Sequence, residues 1–237
     1  MQSSIKIILY ILLNIIVLYS CKENNHPKQA PQKKIPKTIK NVQAPINKSL
    51  QLKKLDSITS KNAIDFLIAY GKEHKETKVR FKTRLGNITI KLYKDTPLHR
   101  SSFIFLVNVG YFNTTCFHRV VPNFIVQGGN SENSNTLKIK NQYQNYTIPP
   151  EFRKHRKHKY GALAAARDWE NNISKKSNPF EFYFIQNKKG SYHLDGEHTV
   201  FGEIIDGFTT LNKIAKLEAG RDEWPFEDVF IKAEVLK

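Results

Sequence analysis

The sequence predicts a mainly β fold, a closed antiparallel barrel whose openings are capped by two α-helices. Three observations carry this. Short stretches of period-two alternation recur along the chain, at Val79–Leu85, Ile88–Leu92, Tyr160–Ala166, Phe182–Gln186, Thr199–Ile204 and Val229–Leu236. Only two helical patterns fall among them, one starting at Pro97 and one over Thr209–Leu217. Between the two helices, Phe117–Asn130 reads as a strand, a turn at Pro122-Asn123, a second strand and a Gly-Gly exit. Many short strands with few helices suit a sheet closed on itself, which removes its edges. No internal repeat is evident.

The first element is a leader. Lys6 precedes Ile7–Tyr19, an apolar stretch interrupted only by Asn14, and Ser20-Cys21 then opens into Lys22-Glu23-Asn24-Asn25. About thirteen apolar residues match a signal-peptide core and are too few to span a bilayer comfortably. Leu18-Tyr19-Ser20-Cys21 resembles the bacterial lipobox, in which the Cys thiol receives diacylglycerol. That resemblance implies a signal peptide over 1–20, a mature chain starting at a lipid-modified Cys21, and an exported protein anchored in the bacterial cell envelope, on the periplasmic or surface side of the outer membrane. An uncleaved anchor or an ordinary signal peptide is the alternative. Lipidation leaves Cys116 as the one free thiol, and its place inside a strand pattern predicts a buried, inert one.

Residues 21–58 are rich in Lys, Asn, Gln and Pro and poor in large apolar side chains. Such a segment cannot offset its ordering entropy, so it reads as a flexible tether. The 237-residue chain carries a net charge of +17 and a sequence pI near 9.7. For an exported protein this points to an anionic lipid or polymer as a partner rather than to nucleic acid.

Residues 59–77 hold a predicted helix, Ser60–Tyr70, with Ser60 as N-cap, Ile64, Leu67 and Ile68 on one face, and Gly71 as the stop. Residues 78–237 form the main domain. It begins with a hairpin, Val79–Leu85 and Ile88–Leu92, turning at Gly86-Asn87. Asp95 or Thr96 then caps a helix with Pro97 at its first position, running through Leu98, Phe103 and Leu106 to a stop at Gly110. The later helix turns Leu211, Ile214 and Ala215 inward. In Phe124-Ile125-Val126-Gln127, alternation puts Phe124 and Val126 on one face, Ile125 and Gln127 on the other.

The run Phe117-His118-Arg119-Val120-Val121-Pro122-Asn123-Phe124-Ile125-Val126-Gln127-Gly128-Gly129-Asn130 closely resembles the signature of the cyclophilins, the peptidyl-prolyl isomerases that twist X-Pro bonds. The likeness continues through Gly161–Arg167, Phe182–Ile185 and His193–Gly202, and upstream through Gly86–Ile88, Thr96-Pro97 and Gly110–Phe112. It extends from about Lys78 to the C-terminus. It implies an eight-stranded antiparallel barrel capped by two helices, with the N-terminal helix as an addition, acting without cofactor or metal on proline-containing unfolded or maturing polypeptides.

Rotating an X-Pro bond needs no nucleophile; the barrier, about 18–20 kcal/mol, is the amide resonance lost at the twisted state. A catalyst needs an apolar slot for proline, hydrogen bonds to the preceding carbonyl, and a donor for the proline nitrogen when its lone pair localises. The resemblance assigns that donor to Arg119, whose guanidinium is rigid and always charged. It assigns the slot to Phe124, Ile125, Tyr183, Leu194 and His198, the carbonyl-fixing amide to Gln127, and the residue beside the arginine to His118. Ala166 and Arg167 match the strand whose backbone pairs with substrate. His193 stands where some members carry a tryptophan.

Glu181 departs from the pattern, since the family commonly has Gln there. An ionised carboxylate only accepts; it competes for Arg119, orients it, or points away. Two other functions compete with isomerisation: a catalytically weak cyclophilin-like peptide-binding module, and a polyanion-binding surface lipoprotein using the tether and the basic run Arg153–Lys159. That run is either an anion patch or a solvated loop.

Overall fold

The computed structural model describes residues 58–143 and 146–237. The predicted leader, Cys21 and the tether up to residue 57 lie outside them. Eight strands form one antiparallel sheet: β1 (Lys78–Thr83), β2 (Gly86–Leu92), β3 (Arg119–Val121), β4 (Ile125–Gly128), β5 (Ala162–Ala165), β6 (Phe182–Ile185), β7 (Val200–Asp206) and β8 (Lys232–Leu236). Their order is β3-β4-β6-β5-β7-β2-β1-β8. The sheet is strongly curled, but among the described residues no ladder closes it into the expected barrel. β3 and β8 are its ends. Between them run single links: Cys116 bridges Phe230, Phe117 N–H donates to Val229 O at 3.1 Å, and Ile231 N–H donates to Thr115 O at 2.9 Å. β3 is only three residues long, and the N–H of its central Val120 goes instead to Glu223 O, 2.8 Å away.

Period-two geometry splits this sheet into two faces with different work. Val120, Val126, Phe184 and Leu163 are successive cross-strand partners and point inward. They join an aromatic core that includes Phe81, Phe103, Phe112, Phe117, Phe182 and Phe201. Each such side chain contributes about 1.5–3 kcal/mol by leaving water. The opposite face carries a smaller apolar cluster, Tyr93, Ile125, Ala162, Ala164, Tyr183, Ile185 and Val200, against which Val121, Phe124 and Leu194 pack. Phe124 therefore lies with Ile125 and not with Val126. It precedes β4, in a turn where Asn123 has φ +60 and Phe124 N–H donates to Val121 O, so strand alternation does not reach it.

Four α-helices occur among the described residues: α1 (Ala63–Glu73), α2 (Pro97–Asn108), α3 (Ser134–Gln142) and α4 (Phe208–Ile214). None is long and apolar enough to cross a membrane. α2 keeps its expected start and stop, with Thr96 before Pro97 and Gly110 at φ +78. Thr96 makes no side-chain cap; the distant Glu151 does that work, accepting from Leu98 N–H and His99 N–H at 3.2 and 2.9 Å. Its carboxylate also meets His99 Nδ1 at 2.7 Å, and His99 Nε2 meets Ser177 Oγ at 2.9 Å, so one buried network joins two loops to α2.

α1 departs from its expected limits. Its N-cap is Asn62, it continues through Gly71 to Glu73, and it buries Ala63, Phe66 and Leu67 while Ile64 and Ile68 are half exposed. A Cβ on Gly71 would collide with Ser101 Oγ. Gly71 thus permits the close crossing of α1 and α2 rather than ending the helix. Arg100 seals the junction, donating to His74 O at 2.7 Å and Gly71 O at 3.1 Å. Ile58, assigned to the tether, is buried in the core, so the folded unit includes it. The first hairpin turns at Arg84-Leu85, with Gly86 paired to Thr83 as the first residue of β2. Cys116 is buried, its thiol pushed up to about 12 by burial.

Candidate active site

The site forms on the second face of the sheet. Register places Arg119 opposite Gln127, Gln127 opposite Tyr183, and Tyr183 opposite Ala164. Side chains directly opposite in antiparallel strands lie about 4.5–5.5 Å apart at Cβ. A cation, an amide and an aromatic ring therefore stand in one row across β3, β4 and β6. They line a pocket of about 380 Å³ with Phe124, Ile125, Leu194 and His198, bounded beyond by Ala166, Arg167 and Glu181. Ten of the twelve expected catalytic and substrate-binding residues line it; His118 and His193 do not.

His193 stacks behind Phe124, ring centroids 5.8 Å apart and nearly parallel. His118 is buried beneath the rim, Nε2 at 3.7 Å from the Glu181 carboxylate, and its Nδ1 has no partner among the described residues. Glu181 reaches the pocket but not Arg119. Its Oε2 accepts from Gln127 Nε2 at 3.0 Å, and Lys140 lies 3.9 Å from its other oxygen. Burial opposes its ionisation, but His118, Lys140 and the Gln127 amide outweigh burial and hold the carboxyl below its ordinary value. One Gln127 N–H is thereby committed, which orients the amide and leaves its second N–H and its oxygen for a ligand.

The floor of the slot is fixed from behind. Tyr183 meets His158 Nε2 at 3.2 Å through its hydroxyl, and Asp195 Oδ1 accepts from the His158 main-chain N–H at 3.0 Å and faces Nδ1 at 2.8 Å. Burial holds both His158 and His198 below the ordinary histidine value, His198 at about 4. His198 Nδ1 meets Ala165 O at 3.0 Å, so the neutral ring donates there.

Arg167 forms the far wall. Its guanidinium lies 3.9 Å above the Trp169 ring and pairs with Glu197, Nη2 to Oε2 at 2.9 Å. Ala166 uses both main-chain groups internally, donating to Glu181 O and accepting from Asn178 N–H.

Asp168, Trp169 and Asn178 also line the pocket, and Glu223 pairs with Arg119 from outside it; the motifs contained none of them. Trp169 is two-thirds exposed in a polar stretch, a signal that was available. Glu223 had no local signal. Most of the basic run is paired: His155 and Arg156 with Asp95, Lys157 and His158 with Asp195, and Lys159 with Glu203.

Comparison with known proteins identifies the family. The family model for cyclophilin type peptidyl-prolyl cis-trans isomerase/CLD matches residues 78–235. A Staphylococcus aureus (strain USA300) protein, provisionally named a peptidyl-prolyl cis-trans isomerase, is 30% identical over 185 residues, covering 67% of this chain and 90% of that one. A Streptococcus pyogenes serotype M6 protein, provisionally named a bifunctional phosphatase/peptidyl-prolyl cis-trans isomerase, is 30% identical over 187 residues, and the chain spans only 38% of its length. The crystal structure of a Cryptosporidium parvum cyclophilin type peptidyl-prolyl cis-trans isomerase, in the presence of the dipeptide Ala-Pro, matches with TM-score 0.57 at 24% identity, covering 68% of this chain and 99% of that one. By motif, matched length and fold, the chain belongs to the cyclophilin-type peptidyl-prolyl cis-trans isomerase family.

Proposed function

We propose that the protein accelerates cis/trans rotation of X-Pro bonds in unfolded or maturing exported polypeptides, from a lipid anchor on Cys21. The observation that carries the catalytic part is the row Arg119, Gln127, Tyr183 beside an apolar slot. Proline enters between Phe124, Ile125, Tyr183 and Leu194. The main-chain groups of Arg167 hold the peptide in an extended form, and the Gln127 amide meets the carbonyl before proline. As the bond twists, the proline nitrogen regains its lone pair, and the terminal N–H groups of Arg119 donate to it. A donor to charge that exists only midway through rotation raises the rate without tightening ground-state binding.

Glu181 bonds Gln127 instead of Arg119, so the feature that suggested a catalytically weak module does not occupy the donor. The pairing of His155–Lys159 with carboxylates weakens the support for polyanion binding at that loop. Export and anchoring rest on the sequence, on Lys6 with the apolar stretch Ile7–Tyr19 and on the Leu18–Cys21 pattern. Incorporation of labelled fatty acid in cells, lost in Cys21→Ala, tests them.

The catalytic test is proline isomerisation of a short Ala-Pro peptide with the protein and its Arg119→Ala variant. The variant is expected to lose most of the acceleration while keeping the parental melting temperature. A folded parent without acceleration refutes the reading.

A further inference from the structure

The loop between α4 and β8 touches three consecutive residues at the start of β3. It is a narrow hairpin: Ala219 bridges Pro225, Gly220 N–H donates to Trp224 O at 2.8 Å, and Glu223 N–H donates to Gly220 O at 3.0 Å. From its tip, Trp224 sets its ring 5.5 Å from that of His118, and Glu223 O accepts from Val120 N–H at 2.8 Å. Between these, the Glu223 carboxylate accepts from Arg119 Nε at 2.5 Å. Glu223 adopts φ +66, a left-handed backbone that residues with a Cβ rarely take. That conformation aims the carbonyl and the carboxylate of one residue at adjacent residues of one strand. Strained backbone of this kind persists where the surroundings require it and concentrates at functional sites.

We propose that Glu223 is a positioning residue for Arg119, holding the guanidinium by its Nε edge so that the two terminal amino groups face the proline slot. The inference rests on the reading of Arg119 as the donor. An arginine side chain has several rotatable bonds, and this one is about one-third exposed, free to swing into water without an anchor. A contact at Nε fixes the plane of the fork while leaving both terminal groups uncommitted, whereas a bidentate contact at the terminal groups would consume the donors. The described hydrogen bonds of Arg119's side chain are confined to Nε. Glu181, the carboxylate within the pocket, is engaged with Gln127 and leaves Arg119 alone. Preorganised donors act most strongly when no reorientation accompanies the reaction, so the effect falls on turnover rather than on binding.

The test uses Glu223→Gly and Glu223→Gln with Arg119→Ala as the reference. Glycine removes the carboxylate and suits the left-handed backbone, so the loop remains folded and the melting temperature stays at or above that of the parent. We expect kcat for an Ala-Pro peptide to fall about tenfold with KM within about twofold. Glu223→Gln retains an oxygen acceptor and restores most of kcat. In the Arg119→Ala background, Glu223→Gly has no further effect. Unchanged or raised kcat in folded Glu223→Gly overturns the inference, and in the second case marks Glu223 as a competitor for the donor. If Arg119→Ala itself retains turnover, the catalytic assignment fails instead, whatever Glu223 does.

Discussion

The Tyr183 hydroxyl, at the floor of the proline slot, lies 3.2 Å from Nε2 of His158, a ring wholly removed from solvent. With Nδ1–H directed at Asp195, Nε2 is the acceptor and the tyrosine hydroxyl the donor. The ring of Tyr183 thus lines the pocket while its polar end serves the fold. Tyr183→Phe leaves Nε2 of His158 buried without a partner, at a cost of about 1–3 kcal/mol. The denaturant midpoint is expected to fall while kcat/KM for an Ala-Pro peptide stays within about threefold.

Acid should weaken the fold in a defined window. His198 faces Tyr183 and Trp169 through its ring and lies in the field of Arg167, His158 and Glu197, and burial lowers it from 6.5 to about 4. Above pH 6.5 both folded and unfolded chains hold it neutral. As pH falls, the unfolded chain takes up the proton first, so stability declines through that range and levels below about pH 4. His158 is shifted in the same direction. The paired carboxylates Asp195 and Glu181 have lowered folded values, so their contributions are lost as pH falls from the ordinary carboxylate range through those lowered values. Chemical denaturation from pH 7.5 to 4 should show the decline, and His198→Leu should flatten it.

Glu181→Gln returns the amide common in the family. It forfeits the attraction of His118 and Lys140 and keeps an acceptor for Gln127. Since the carboxylate does not touch Arg119, kcat/KM should change by less than about threefold. A rise of tenfold or more would show that Glu181 draws on the donor after all.

Glu151→Gln should unfold far more readily. Both carboxylate oxygens face donors, Leu98 N–H on one side and His99 N–H and Nδ1 on the other. A glutamine must turn its amino group toward one of them. A loss on the order of 3 kcal/mol is expected in urea, with the slope unchanged.

The parts of this structure legible in the sequence are those that local geometry controls. Pro97 and Gly110 mark α2 because helix ends have local chemistry. Arg119, Gln127 and Tyr183 are legible through the family motifs that contain them, and cross-strand register brings the three into line. Phe124 shows the limit, since a turn residue at the end of a strand pattern can join either face. Gly71 shows another. It has the composition of a stop, but the close passage of Ser101 gives it a different purpose. α3 went unnoticed because SNTLKIKNQ is polar and buries only Thr136, which bonds Thr114 O at 2.7 Å. Glu223 lies far along the chain from Arg119, and nothing near it distinguishes it from a solvated loop carboxylate.

The crossing of α1 and α2 has a mechanical consequence. Arg100 grips the chain at Gly71, His74 and Glu76, just before it enters β1. Any pull on the chain ahead of α1 meets this clasp before it meets the sheet. β1 and β2 take up the strain next, and they stand at the opposite end of the strand order from β3 and β4. A load entering from the N-terminal side thus falls first on the α1–α2 crossing, ahead of every strand that lines the pocket.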